Sequence, residues 1–398
     1  MPPLRLAARA LNPRREPGFS VLRWHPAGQP AGAGQPAARA QQAEERRTGQ
    51  PAMARWASCG VDFVDMPTRL PKLPSTVRGR DYIETRDWAD KDIELLLKTS
   101  GDLKKAFRSG RPTRYLPDKT VFLFFFDKST RTRNSFEAGA TQLGAHAHFI
   151  SAETSQAAHG ESPKDMGIIL SSYGHAIAIR HDLVPGEGNR YMREVAEHAT
   201  VPVYNMQCDV DHPFQTLADL MTIREEFGRN LRGRKIAVTW AYAPSYAKPM
   251  SVPQGLITLM PRFGLDVVLA HPPEWKLMKE PMAFAKAQAK VHGTLFEVTD
   301  DMDAACRGAD VIYAKSWGIE ELFHKPQEAL ELSKRYRSWI CDERRMKLAK
   351  KEAIYMHCLP ADRSNEVTDA VLDGPQSRVF PEAENRLHTC KAVMALTM

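Results

Sequence analysis

Apolar and polar positions between residues 75 and 398 alternate between two rhythms, short unbroken apolar runs and longer stretches of helical spacing. The run Val121-Phe-Leu-Phe-Phe-Phe126 is too short to cross a membrane and suits a strand buried on both faces. Ala145–Ser151, Ala176–Arg180 and Val201–Asn205 read as its neighbours. Between them, residues 87–107 place Ile93, Leu96, Leu97, Leu103 and Phe107 on one helical stripe. Residues 134–144 do the same with Phe136, Ala140 and Leu143, and a third helix is predicted over 213–227. Beyond the basic connection 228–234 a second series begins: Lys235–Trp240, Asp266–His271, Leu295–Val298, Asp310–Ala314, Trp339–Cys341 and Ala353–Met356. A final helix is expected over Ala383–Leu396. Strand alternating with helix predicts the α/β class, as two doubly wound parallel-sheet domains joined by helices. The boundaries expected are 1–74 for a lead-in, 75–227 for the first domain and 228–382 for the second.

Composition and charge narrow this picture. A chain of 398 residues that is 43% hydrophobic can fill two ordinary cores. Its net charge of +7 is concentrated at the start. Residues 1–50 hold eight arginines, no lysine and three glutamates, or +5, which leaves +2 for the rest. A nearly balanced body calls for no nucleic-acid partner, and no apolar run is long enough for a membrane partner. The leader, rich in Ala, Arg, Pro, Gly and Gln, reads as a disordered and dispensable extension with Met53 as an alternative start. An organelle transit segment is the competing reading. Six cysteines (59, 208, 306, 341, 358, 390) form no Cys-x-x-Cys pair, which argues against a zinc site or a disulfide framework and fits a reducing cytoplasm.

The densest chemistry lies where the first apolar run meets its helix, at Ser129-Thr-Arg-Thr-Arg133. A helix start offers free N–H groups and a positive dipole end. Ser129, Thr130 and Thr132 add hydroxyls and Arg131 adds a forked cation, so the turn suits a phosphate. An ordinary N-cap with solvent-facing arginines is the plainer reading. Arg180 ends the apolar run Ala176-Ile-Ala-Ile-Arg, where either an anion or a surface ion pair accounts for it. His212 stands before Pro213 at a helix start, where the dipole favours a neutral imidazole; a structural capping role is its alternative. Gly186-Glu-Gly188 is only a fragment of a dinucleotide turn and reads as a loop, and no Gly-x-x-x-x-Gly-Lys-Ser/Thr is present. No NAD, ATP, metal or other cofactor is called for.

Five segments in order resemble the aspartate and ornithine carbamoyltransferases: Ser129-Thr-Arg-Thr-Arg133, Ile179-Arg180, Asp211-His-Pro-Phe-Gln-Thr-Leu-Ala-Asp219, His357-Cys-Leu-Pro360 and Glu384-Asn-Arg-Leu-His388. The resemblance implies that Ser129, Thr130, Arg131 and Thr132 hold the phosphate of carbamoyl phosphate. It assigns His212, Gln215 and Arg131 to the carbamoyl group and Arg180 to carbamoyl phosphate as a catalytic cation, with Cys358 and Leu359 lining the carbamoyl site and Arg386 closing it from the last helix. It also implies that this helix packs back on the first domain. The loop 153–166 would reach a neighbouring subunit's site in a homotrimer, with Gln156 as donor. Cys358 as a nucleophile is disfavoured, since His357 beside it on a strand faces the other way.

The second-substrate half departs from ordinary ornithine carbamoyltransferase. Ala314-Lys-Ser-Trp-Gly318 and the proline-rich 239–253 segment resemble the knotted branch, which includes the N-acetylornithine and N-succinylornithine enzymes and a relative of unassigned substrate. That likeness implies a trefoil knot in the C-terminal domain. Ala361-Asp-Arg-Ser-Asn-Glu366 breaks the N-acetylornithine pattern by placing Glu366 where that enzyme carries a carboxylated lysine. Lys315, Ser316, Trp317, Asp362, Arg363 and Glu366 are therefore expected to bind the acceptor, with the two carboxylates meeting a free ammonium group. The expected activity is carbamoyl transfer to a small amino or diamino acid. An ordinary ornithine enzyme and a non-catalytic binding paralogue are the alternatives.

Overall fold

The computed structural model describes residues 70, 72–74, 76–182, 184–244 and 248–398. The readings of the basic extension and of a start at Met53 lie outside those residues. The first sheet holds β1 (Thr120–Phe125), β2 (His146–Ser151), β3 (Ala176–His181) and β4 (Val203–Cys208), all parallel, in the order β2-β1-β3-β4. The run at 121–125 behaves as a strand buried on both sides. Val121, Leu123 and Phe125 enter one hydrophobic cluster, while Phe122 and Phe124 enter a second on the opposite face. β3 divides likewise, with Ala176 and Ala178 on one side and Ile177 and Ile179 on the other.

The principal helices of this half are α1 (Asp90–Arg108), α2 (Arg131–Leu143), α3 (Pro163–Tyr173), α4 (Gly188–His198) and α5 (Pro213–Phe227). α2 buries Phe136, Ala140 and Leu143, the stripe the spacing predicts, but it begins three residues earlier, at Arg131. Gly188, read as loop, instead opens α4. A Cβ there would lie 1.8 Å from the His181 carbonyl oxygen, so only glycine lets α4 start against the end of β3.

The second sheet holds β5 (Arg234–Trp240), β6 (Leu265–Ala270), β7 (Phe296–Thr299), β8 (Val311–Lys315) and β9 (Ile354–Met356), parallel and in the order β7-β6-β5-β8-β9. Trp339–Cys341 is not one of its strands. Cys341 makes only an isolated bridge to Val367, and the Trp339 carbonyl accepts from the Tyr242 amide at 2.8 Å, so the segment ties loops together. Its longer helices are α6 (Ser251–Leu259) and α7 (Lys279–His292), and the chain closes with α8 (Val379–Thr397), which packs on α1, α2 and α5. In each sheet the strand order reverses beside the opening strand, between β1 and β3 and between β5 and β8. Ligands of open α/β sheets sit beyond the strand ends at such reversals.

Candidate active site

A cavity of about 360 Å³ opens at the carboxyl ends of both sheets. Asp127 to Thr132 line it from the β1–α2 junction. Arg180 and Asp182 come from the end of β3, Gln207 from β4, and His212 and Gln215 from the start of α5. Lys248, Pro249, Lys315 and Cys358–Pro360 close it from the second half, and Arg386 from α8. Six cationic side chains (Lys128, Arg131, Arg180, Lys248, Lys315, Arg386) face two carboxylates, Asp127 and Asp182. That balance in a concave site favours an anion.

The anion-facing half is organised around the helix starts. Thr130 is the N-cap of α2, and the Ser129 hydroxyl accepts from the Thr132 amide at 3.3 Å. Thr132 is buried, and its hydroxyl accepts from Arg386 Nη2 at 3.0 Å. A register shift between Ile179 and Arg180 breaks the β3–β4 ladder and turns Arg180 toward the cavity. Its fork donates to Gln207 Oε1 at 2.6 Å and to Asp182 Oδ2 at 2.8 Å. The His212 imidazole is buried, and its pKa lies well below the usual value. Burial is the first cause and the nearby Arg386, Arg180, Lys315 and Arg131 add to it. It is a neutral hydrogen-bonding group at neutral pH.

Gln215 is held in one orientation. Its amide nitrogen donates to Asp219 Oδ1 and Glu382 Oε1, each at 2.8 Å, and its oxygen accepts from Arg386 Nη1 at 2.5 Å. Burial pushes the Asp219 and Glu382 carboxyls up, and the Asp219 charge raises Glu382 further. The Tyr313 hydroxyl and the His357 amide also donate to Glu382, at 3.1 and 2.9 Å. Gln215 thereby presents oxygen, not nitrogen, toward the cavity.

The half expected to face the acceptor is arranged differently from that expectation. Lys315 lines the cavity, its Nζ donating to the Pro249 and Ser316 carbonyls at 3.1 and 2.7 Å. Glu366 does not line it. Its side chain is fully buried and accepts from Lys248 Nζ at 2.5 Å, from the Ser316 amide at 2.6 Å and from the Asp362 amide at 2.7 Å. His357 accepts at Nδ1 from the Leu359 amide, so the proton on Nε2 faces Glu366 Oε1 at 3.4 Å. Burial pushes the Glu366 carboxyl up, but His357 and Lys248 outweigh it and hold the group well below the usual carboxylate range. Asp362 lies outside the cavity lining, 3.4 Å from Lys248.

Trp317 and Arg363 stand away from the cavity for plain physical reasons. The Trp317 indole is 1% exposed and donates to the Trp275 carbonyl at 2.9 Å, a core position. Ser316 shares that wall, its contribution being the amide that meets Glu366. Arg363 is exposed and its fork closes on Asp369 and on Asp373. Gln156 lies on an exposed turn outside its own chain's cavity. Burial pushes the Cys358 thiol up, which keeps it protonated and a poor nucleophile. Asp127, Asp182, Gln207 and Lys248 were missed by the motif reading. Asp182, two residues after the strand-end arginine, carried the only local signal.

Comparison with known proteins agrees with this geometry. Residues 80–225 match the aspartate/ornithine carbamoyltransferase carbamoyl-P binding domain, and residues 247–397 match the Asp/Orn binding domain of the same group. YgeW of Escherichia coli (strain K12) is 36% identical over 350 residues, 79% of this chain and 88% of that protein. N-acetylornithine carbamoyltransferase of Xylella fastidiosa (strain 9a5c) is 35% identical over 337 residues, 79% of this chain and 98% of that one. A solved N-acetyl-L-ornithine transcarbamylase mutant, complexed with carbamyl phosphate and N-succinyl-L-norvaline, matches at a TM-score of 0.75 and 32% identity. That match covers 80% of this chain and all of the other. The chain belongs to the aspartate/ornithine carbamoyltransferase family.

Proposed function

We propose that this carbamoyltransferase moves the carbamoyl group of carbamoyl phosphate to the amine of a small amino or diamino acid and releases phosphate. The observation that carries the reading is the convergence of Arg131, Arg180, His212, Gln215 and Arg386 on one cationic cavity. Ser129, Thr130, Arg131 and Thr132 hold the phosphate at the start of α2. Arg131 and neutral His212 donate to the carbamoyl oxygen as it gains charge. Gln215, held with its oxygen outward, accepts from the carbamoyl NH₂. Arg180 and Arg386 supply fixed positive charge, while Cys358 and Leu359 form the wall opposite. The leaving group is good, so alignment and electrostatics suffice and no cofactor enters.

Lys315 is the cavity's cation on the acceptor side and suits the acceptor's carboxylate. Glu366, Asp362 and Ser316 serve that side indirectly, by holding Lys248 and the 315–316 segment in place. The knotted branch is supported by the strap around Lys248, whose carbonyl accepts from the Gly318 amide at 2.9 Å and whose Nζ reaches the Pro360 carbonyl at 3.5 Å. A domain boundary within 228–233 fits the two sheets. The described cysteines are all unpaired, which fits a reducing, cytoplasmic setting. No helix among the described residues is long and apolar enough to cross a membrane.

The test is phosphate release from carbamoyl phosphate with a panel of amines: ornithine, its N-acetyl and N-succinyl forms, and shorter amino and diamino acids. Release with one class names the acceptor, and ornithine alone would make this an ordinary ornithine enzyme. Binding of carbamoyl phosphate without release for any amine would overturn the catalytic reading. Assembly as a trimer sharing Gln156 between subunits predicts that mixed trimers of Gln156→Ala and His212→Ala regain activity that neither variant has alone. A fully active monomer contradicts it.

A further inference from the structure

The carboxylates expected to meet the acceptor's nitrogen are engaged elsewhere, but one carboxylate on the cavity wall is half unsatisfied. The Asp182 side chain is 1% exposed, and its Oδ2 accepts from Arg180 at 2.8 Å. Its Oδ1 is buried with no hydrogen-bond partner among the described residues. A buried carboxylate oxygen left without a donor carries a desolvation cost, and its persistence in a substrate cavity points to a donor that arrives with the ligand. The groups around Asp182 are Arg180 near the end of β3, its own backbone amide, Asp127 just after β1 and Lys315 at the end of β8. It therefore stands between the carbamoyl-phosphate cradle and the cation of the acceptor side. Carbamoyl phosphate brings mostly hydrogen-bond acceptors, whereas the second substrate brings an ammonium group.

We propose that Asp182 receives the ammonium group of the acceptor and acts as the base that frees its lone pair. This rests on the carbamoyltransferase reading. The ammonium gives one proton to the carboxylate, and the nitrogen lone pair forms the new C–N bond at the carbamoyl carbon. The carbon–oxygen bond to phosphate then breaks with its electron pair on the phosphate oxygen. The second amine proton leaves with phosphate as hydrogen phosphate, and Asp182 returns its proton to solvent. Burial pushes this carboxyl up to about 6 against the opposing pull of Arg180, which brings it nearer the pH at which a general base works best.

The competing role is structural, with Asp182 merely orienting the Arg180 fork. Asp182→Asn separates the two, because the amide keeps the shape and an oxygen for Arg180 but cannot take a proton. With the fastest acceptor of the panel, kcat and both KM values are measured between about pH 6 and 9, and carbamoyl phosphate binding is measured by calorimetry as a check on folding. The expected loss is on the order of 100-fold in acceptor kcat/KM at neutral pH, with carbamoyl phosphate affinity nearly unchanged. The defect should shrink as rising pH supplies neutral amine from solution. A variant within a few-fold of wild type, or one whose loss lies wholly in carbamoyl phosphate binding, overturns the assignment. If Asp182→Asn does not fold, Asp182→Glu must show a reduced kcat with carbamoyl phosphate affinity intact, and full activity there overturns it too. A wild-type protein inactive with every amine would instead strike the underlying functional reading.

Discussion

The two walls of the cavity reach their geometry by different routes. The anion wall is local: Ser129 to Thr132 are consecutive, and a strand end and a helix start aim them. The acceptor wall is assembled from distant segments that carry Lys248, Ser316, His357 and Asp362, all gathered on the buried carboxylate of Glu366. A local wall depends on the chemistry of each side chain. An assembled wall depends on the group that gathers it, even when that group touches no substrate. The two should fail differently under mutation, the first in turnover and the second in stability.

Arg131→Lys is the strongest test of the local wall. Lysine keeps the charge but loses the planar fork and its paired N–H donors. With charge-assisted hydrogen bonds worth about 1.5–3 kcal/mol each, carbamoyl phosphate kcat/KM should fall on the order of 100-fold with Tm unchanged. A variant within a few-fold of wild type would remove Arg131 from the phosphate.

Glu366→Gln tests the assembled wall. The Lys248 side chain is only 4% exposed, so removing the Glu366 charge leaves its ammonium to the longer pairing with Asp362 at 3.4 Å and its other contacts, at a cost of about 1.5–3 kcal/mol. Melting temperature should drop by several degrees and acceptor KM should rise with it. The pH dependence has a definite sign. The folded pKa of Glu366 is held below its ordinary value of 4.5, so the stability it contributes is present above that pH and is lost as pH falls further. Between about pH 5 and 3 the variant's Tm should therefore decline less steeply than the wild type's. An unchanged Tm with a raised acceptor KM would return Glu366 to direct contact with substrate.

The same division explains what the sequence disclosed. Both sheets were readable because strands buried on two faces, such as 121–125, give apolar runs that no other element explains. The anion residues were readable because the helix start that aims them is itself a local pattern. Trp317 and Arg363 were misplaced because sequence proximity to Lys315 and Glu366 says nothing of direction. Successive residues after a strand diverge, one into the core and another toward surface partners ten residues on. Lys248 was invisible as a site residue because its meaning depends on a carboxylate 118 positions away.

His212 offers a smaller effect on the anion wall. Its folded pKa lies well below the ordinary 6.5, so the folded chain refuses a proton that the unfolded chain accepts. Stability is then lost as pH falls through about 6.5, the reverse of a histidine with an acidic partner. His212→Asn should flatten the fall of Tm between about pH 7 and 5.5. The slope should be reduced and not abolished, because His181, His271 and His357 are shifted in the same direction. An unchanged slope would mean that the imidazole takes up its proton in the fold as readily as in the unfolded chain.

Arg363→Ala should do almost nothing, and that is what makes it informative. The motif places Arg363 beside the acceptor, three residues from Glu366, where losing a guanidinium would cost acceptor affinity. The fold instead turns it outward, where its fork meets Asp369 and Asp373 in solvent. Exposed ion pairs of this kind contribute little, because water already satisfies both partners and salt screens what remains. Acceptor KM, carbamoyl phosphate KM and Tm should all stay at wild-type values, and added salt should not separate the two proteins. A rise in acceptor KM with Tm unchanged would show Arg363 swinging in to meet the acceptor when it binds, and the acceptor wall would then be only partly preassembled.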